Sequence, residues 1–270
     1  MSGRWLTVAV AGLLALLSSS GAGKALAADD QLELLVPGEL SVATEGTFPP
    51  FSMQDEQGNL EGLEIRLMRE ICQRLGLEYK PVLIKWDSIL VGLFSDQYDI
   101  VSAAMDITPE RQKQVLFSRG WLESGGRFVV REDAPMSEAS DLDGTVVGVL
   151  VASTWADLAK QKGAQEIKTY KAETDAVQDL LNGNIDGVVT DSIAAAYIIE
   201  ERGLPLKLTE GYLSQIQKGW PTRKGRVNLI KAINATLDEM IMDGTYAELT
   251  TPLVGYSPAP EEPIPSNFEE

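Results

Sequence analysis

Short apolar runs alternate with amphipathic stretches along the chain, and the pattern restarts near its middle. In the first half, "LSVAT" (40–44), "KPVLI" (80–84) and "YDIVSAAM" (98–105) read as strands. Between them, "LEIRLMREICQRLG" (63–76) places Leu63, Leu67, Met68, Ile71, Cys72 and Leu75 on one helical stripe, with Gly76 as the C-terminal cap. "WDSILVGLFSD" (86–96) reads as a short amphipathic helix, "EGTFPPF" (45–51) as loop and "QDEQGN" (54–59) as a hairpin tip. In the second half, "DLDGTVVGVL", "IKTYK" and "DGVVT" read as strands, interleaved with helices in "TWADLAKQKG", "TDAVQDLLNGN" and "DSIAAAYIIEERG". Near the end, "RVNLIKAINATLDEMIMDGTY" (226–246) predicts one long amphipathic helix. Strands alternating with helices imply βαβ units and mainly parallel sheets.

An internal echo sharpens this. "GLFSDQYDIVSAAMD" (92–106) and "DLLNGNIDGVVTD" (179–191) share an order: helix, polar turn, Asp, apolar strand, then an acid just past the strand, Asp106 or Asp191. The carboxyl ends of strands in open α/β sheets are where ligands bind. Two such units facing one another would form a cleft for a small molecule.

The N-terminus reads as a segment outside the fold. A basic start, the apolar run "WLTVAVAGLLALL" and small residues ending in Ala25-Leu26-Ala27 form a secretory signal peptide cut after Ala27; the competing reading is a membrane anchor, for which the run is short. Removing Arg4 and Lys24 leaves 21 basic against 40 acidic residues, a net charge of about −19. Such a surface repels nucleic acid and anionic lipid. The single cysteine, Cys72, excludes an internal disulfide and falls on the apolar side of its helix. There is no histidine, which excludes histidine triads and histidine metal sites. The tail "SPAPEEPIPSNFEE" (257–270), rich in proline and acid, predicts a mobile segment.

"TEGTFPPF", Trp86, "YDIVSAAMDITPERQKQVLFS", "DLDGTVVGVL" followed by Ser153-Thr154, "LLNGNIDGVVTD" and "INATLDEMIMDGTY" stand in the order seen in family 3 extracellular solute-binding proteins, and over residues 40–246 the chain resembles them. These are periplasmic amino-acid receptors of ABC importers. The resemblance implies the type II periplasmic-binding-protein fold: α/β, two lobes, each a mainly parallel sheet flanked by helices, joined by a two-strand hinge. With the signal peptide read over 1–27 and the tail over 256–270, it implies a discontinuous first lobe of 28–127 plus 218–255, a second lobe of 128–217, and a hinge near 124–130 and 213–220. It implies a monomer with no metal or cofactor and no enzymatic activity, whose partners are a free L-amino acid and a membrane permease.

The ligand-contacting set the resemblance implies is Glu45, Phe48, Trp86, Ala104, Asp106, Arg111, Thr154 and Asp191. Arg111 matches the arginine that grips the ligand's α-carboxylate, a task suited to a planar guanidinium fork. Thr154 matches a second-lobe hydroxyl that helps hold that carboxylate, and Asp191 the acid that accepts the α-ammonium; each also reads as a helix N-cap. Phe48 and Trp86 match the aromatic pair that sandwiches the ligand side chain, with Phe48, between Gly46 and Pro49, expected to be partly exposed. The "TEG" at Glu45 is similar to receptors for arginine, histidine and opines, where an acid reads a distal cation. Asp106 departs from the usual Ser or Thr, Glu64 from Asp, and Ala152 from Gly. Arg111 against Glu45, Asp106 and Asp191 makes the site −2, which favours a basic amino acid, arginine first, and disfavours glutamate or aspartate. The alternatives are a neutral polar amino acid such as glutamine, or a cyclohexadienyl-dehydratase-like enzyme on the same scaffold.

Overall fold

The computed structural model describes residues 32–268, except the side chains of residues 201 and 202. The expected signal peptide lies outside the described residues.

In chain order, strand β1 (Glu39–Thr44) leads through a small hairpin sheet of β2 (Thr47–Phe48), β3 (Ser52–Gln54) and β4 (Leu60–Glu61) to helix α1 (Leu63–Leu75). α1 buries Leu63, Ile65, Leu67, Met68, Ile71 and Cys72 along its apolar stripe and stops at Gly76, whose φ of 71° is the left-handed conformation glycine adopts freely. β5 (Glu78–Leu83), α2 (Ile89–Phe94), β6 (Ile100–Val101), α3 (Pro109–Gln112) and β7 (Val115–Phe117) follow. The chain then crosses into β8 (Leu122–Arg131), β9 (Val146–Leu150), α4 (Trp155–Gln161), β10 (Glu166–Tyr170), α5 (Glu173–Leu181), β11 (Gly187–Asp191) and α6 (Ser192–Arg202). It returns through β12 (Leu206–Leu208), β13 (Ser214–Lys218) and β14 (Pro221–Arg223) to α7 (Val227–Met242) and α8 (Thr245–Val254).

These strands build two main sheets. One has the order β5-β1-β6-β14-β7; the other runs β10-β9-β11-β8-β12, with β13 also paired to β8. β1 pairs in parallel with β5 and β6, and β9 with β10 and β11, as βαβ units require. The remaining partners are antiparallel, so each sheet is mixed. Two stretches join the sheets: β7 into β8, and β13 into β14. There β8 and β13 lie side by side, with Leu122 opposite Lys218 and Gly126 opposite Ser214. This is the two-lobed, two-strand-hinged architecture expected.

Three local readings are corrected. The long C-terminal helix divides into α7 and α8 at Gly244, whose φ of 89° breaks the helical path. The third strand narrows to Ile100–Val101, because Ala104 turns into positive φ at 48°. The tail is ordered to Phe268. Gly120 N–H donates to the Ile264 carbonyl at 2.8 Å and Glu123 N–H to the Pro258 carbonyl at 2.9 Å. Gln217 donates to the Glu262 carbonyl and accepts from the Ile264 N–H. Asn267 accepts from the Phe117 N–H and donates to the carbonyls of Gln112 and Val115. Composition argued for disorder, but these backbone partners fix the segment against both crossings between the sheets.

Candidate ligand-binding cleft

The segment Ala103–Arg111 forms one wall. Past β6, Ala104 bends with positive φ, and its N–H donates to Glu64 Oε2 at 2.7 Å. Glu64 is buried on α1; its other oxygen accepts from Trp220 Nε1 at 3.1 Å, and burial pushes its pKa up to about 8. Thr108 then caps the one-turn α3, accepting from the Arg111 N–H, with Pro109 in the first helical position. This cap sets the direction of Arg111. Its guanidinium lies 5.5 Å from the Trp86 ring centre, donates to the Asp106 carbonyl at 3.1 Å, and reaches the Ala152 carbonyl of the other sheet at 3.5 Å. Burial lowers the Arg111 pKa, partly offset by Asp106.

The facing wall comes from the second sheet. The Thr154 hydroxyl makes no cap bond and instead donates across the cleft to Asp106 Oδ2. Asp191, fully buried, caps α6 by accepting from the Ile193 N–H at 2.9 Å and also accepts from Ser124 Oγ at 2.8 Å. Leu150 packs into the cluster of Trp86, Ala103 and Met105.

Between the acids stands a residue that sequence reasoning passed over. Lys218, at the end of β13, is 1% exposed and ion-paired to both Asp106 and Asp191, the latter at 2.9 Å. Burial disfavours its charge, but the two carboxylates outweigh that and hold its pKa above the ordinary lysine range. Including Lys218 corrects the charge of the site from −2 to −1.

Glu45, Phe48, Trp86, Ala103, Ala104, Asp106, Leu150, Ser153, Trp155 and Lys218 line one cavity of about 20 Å³, so the walls sit close together. Arg111 and Thr154 line an open groove of about 630 Å³ beside Ala152, Ser153 and Trp155. The structure thus brings Glu45, Phe48, Trp86, Ala104 and Asp106 onto one cavity, sets Arg111 and Thr154 at the adjoining groove, and keeps Asp191 behind Lys218. Phe48 is buried at 9% exposure and stacks on Phe51 at 5.2 Å, which corrects the expectation of a partly exposed ring. Glu45 is half-buried, which pushes its pKa up to about 7, and among the described residues it has no ion-pair partner. Among the described residues no group of three or more Cys, Asp or Glu is placed to hold a metal ion.

A sequence profile of the bacterial extracellular solute-binding proteins, family 3, matches residues 40–255. The chain belongs to that family. Among the family-3 relatives, the L-cystine-binding protein TcyJ of Escherichia coli (strain K12) is 33% identical over 79% of this chain and 81% of its own. An ancestral arginine-binding protein solved with glutamine superposes with a TM-score of 0.76 and 36% identity, over 82% of this chain and 99% of that one. The ancestral amino-acid-binding protein AncCDT-1, a precursor of cyclohexadienyl dehydratase, superposes at 0.75 with 31% identity over 80% and 96%. The family-3 match ends at Gly255, so the ordered tail lies beyond it. Lys218 left little trace in the sequence: "SQIQK" is polar at every position but Ile216, as an exposed segment is, and the structure pairs β13 with β8 and buries this lysine.

Proposed function

We propose that this family-3 protein is an exported, monomeric receptor that captures a free amino acid and delivers it to the permease of an ABC importer, with arginine as its first ligand. In this reading the signal peptide is removed after Ala27, and the lobes are 28–127 with 218–255 and 128–217. Arg111 takes the ligand's α-carboxylate, with Thr154 across the groove. Asp106 takes the α-ammonium in place of Asp191, the acid expected to do so, because Asp191 does not line the cavity and is ion-paired to Lys218. Phe48, Trp86 and Ala104 flank the side chain.

The observation that carries the arginine reading is Glu45. It lines the cavity beside Trp86 and Asp106, and it is the acid there without an ion-pair partner among the described residues. A distal guanidinium would supply that partner and bring the site from −1 to zero; an acidic side chain would add a further negative charge at a poorly solvated site. Lys218 favours a second reading, a neutral amino acid such as glutamine or cystine, because it has already removed part of the negative charge. The relatives solved with glutamine or named for cystine support the same alternative.

We read the cleft as binding without catalysis, because relatives such as TcyJ and the ancestral arginine-binding protein are named as binding proteins. A thermal-shift screen against the twenty amino acids, ornithine, citrulline and cystine tests the ligand. A ligand at 100 times its Kd adds about 2.7 kcal/mol of stability. Arginine is expected to give the largest shift. No shift with any basic amino acid, together with a shift for glutamate, would contradict the reading. Incubation with prephenate or arogenate is expected to leave both unchanged.

A further inference from the structure

We propose that Lys218 is a specificity-determining residue: a counter-cation built into the chain that sets how much positive charge the ligand must bring. The inference rests on the reading of the cleft as an amino-acid site.

The position of Lys218 is held by its backbone as well as its charge. The Lys218 carbonyl accepts from the Trp121 N–H at 2.9 Å, the Gln217 carbonyl from the Ile107 N–H at 2.9 Å, and the Met105 carbonyl from the Gly219 N–H at 3.0 Å. The end of β13 is thereby tied to the Met105–Ile107 segment that carries Asp106, which keeps the Lys218 backbone beside that acid. Its ammonium sits 5.2 Å from the Trp155 ring centre and 6.0 Å from that of Phe51, with Asp106 and Asp191 as its ion partners. It also lines the cavity with Glu45. A desolvated ammonium so placed acts on a ligand in the same cavity with little screening.

Its effect follows from the charges facing the cleft. Arg111 and Lys218 balance Asp106 and Asp191, leaving Glu45 as the excess acid that lines the cavity, with Glu173 a further buried carboxyl close enough to feel Glu45, Asp191 and Lys218. An amino acid with an uncharged side chain meets a nearly balanced site, and a cationic one meets Glu45. Without Lys218 only Arg111 is left to offset the two aspartates, so the site goes from −1 to −2 and demands a further cation from the ligand. Lys218 therefore moderates the preference for basic ligands and keeps neutral amino acids within reach.

The test is titration calorimetry of L-arginine and L-glutamine on the full chain, for wild type, Lys218→Met, and the double variant Asp106→Asn with Lys218→Met. The readout is the ratio of the two dissociation constants, glutamine over arginine. Lys218→Met is expected to raise the ratio about tenfold or more. The double variant removes one positive and one negative charge, and is expected to return the ratio to within about threefold of wild type. A folded Lys218→Met protein with an unchanged ratio would overturn the inference. Should Lys218→Met fail to fold, a double variant with the ratio raised tenfold would overturn it equally. If wild type binds neither amino acid, the function reading fails first and this inference with it.

Discussion

At the residue scale, the parts of the cleft legible in the sequence are those with a local cause. Thr108-Pro109-Glu110-Arg111 fixes its own helix start, so the direction of Arg111 follows from four consecutive residues. Lys218 depends on a partner 112 residues away and carries no local signature. Ala152, where glycine was expected, adopts φ of 56°, a left-handed conformation that costs an alanine about 1 kcal/mol. Ala152→Gly is therefore expected to raise the unfolding free energy by about 1 kcal/mol in a urea melt, because Ala152 is exposed and its methyl packs on little. Glu45 gives a second prediction. Its pKa of about 7 in the unliganded protein means that a cationic ligand binds the ionised form, which grows as pH rises. Arginine affinity is expected to strengthen about tenfold between pH 6 and pH 8, and Glu45→Gln to lose most of that dependence, the remainder being what the buried Glu173, also pushed up to about 7, contributes, measured by calorimetry in matched buffers.

At the scale of elements, strands and helices with a clear period were legible, and failures came where a contact from elsewhere decided the outcome. α1 follows its stripe because one face meets the core and Gly76 stops it. The tail reads as disordered by composition, yet its order comes from Ile264, packed against a buried hydrophobic cluster of the first sheet, and from Asn267, whose amide serves three backbone partners. No periodicity announces such contacts. Asn267→Ala is expected to lower stability by about 2 kcal/mol, since it leaves a buried strand N–H and two carbonyls without partners. A melting temperature within a degree of wild type would show the tail to be an accessory to the fold.

At the scale of the whole molecule, the two sheets meet through side chains that cross the cleft: Thr154 to Asp106, Arg111 to the Ala152 carbonyl, and Lys218 to Asp106 and Asp191. Contacts that exist only when the walls are close favour the closed arrangement, and a ligand that adds to them shifts the population further. The doubled βαβ pattern and the echo ending at Asp106 and Asp191 made this two-sheet plan legible. The charge balance inside it was not, because it hangs on which hinge residue turns inward. The central claim, that Arg111 holds the carboxylate of a free amino acid in this cleft, is tested most directly by calorimetric titration of wild type with L-arginine and with agmatine, its decarboxylated counterpart. Two charge-assisted hydrogen bonds at about 1.5–3 kcal/mol each predict one-to-one binding of arginine and agmatine weaker by about 100-fold or more. Equal affinity for the two would contradict the account.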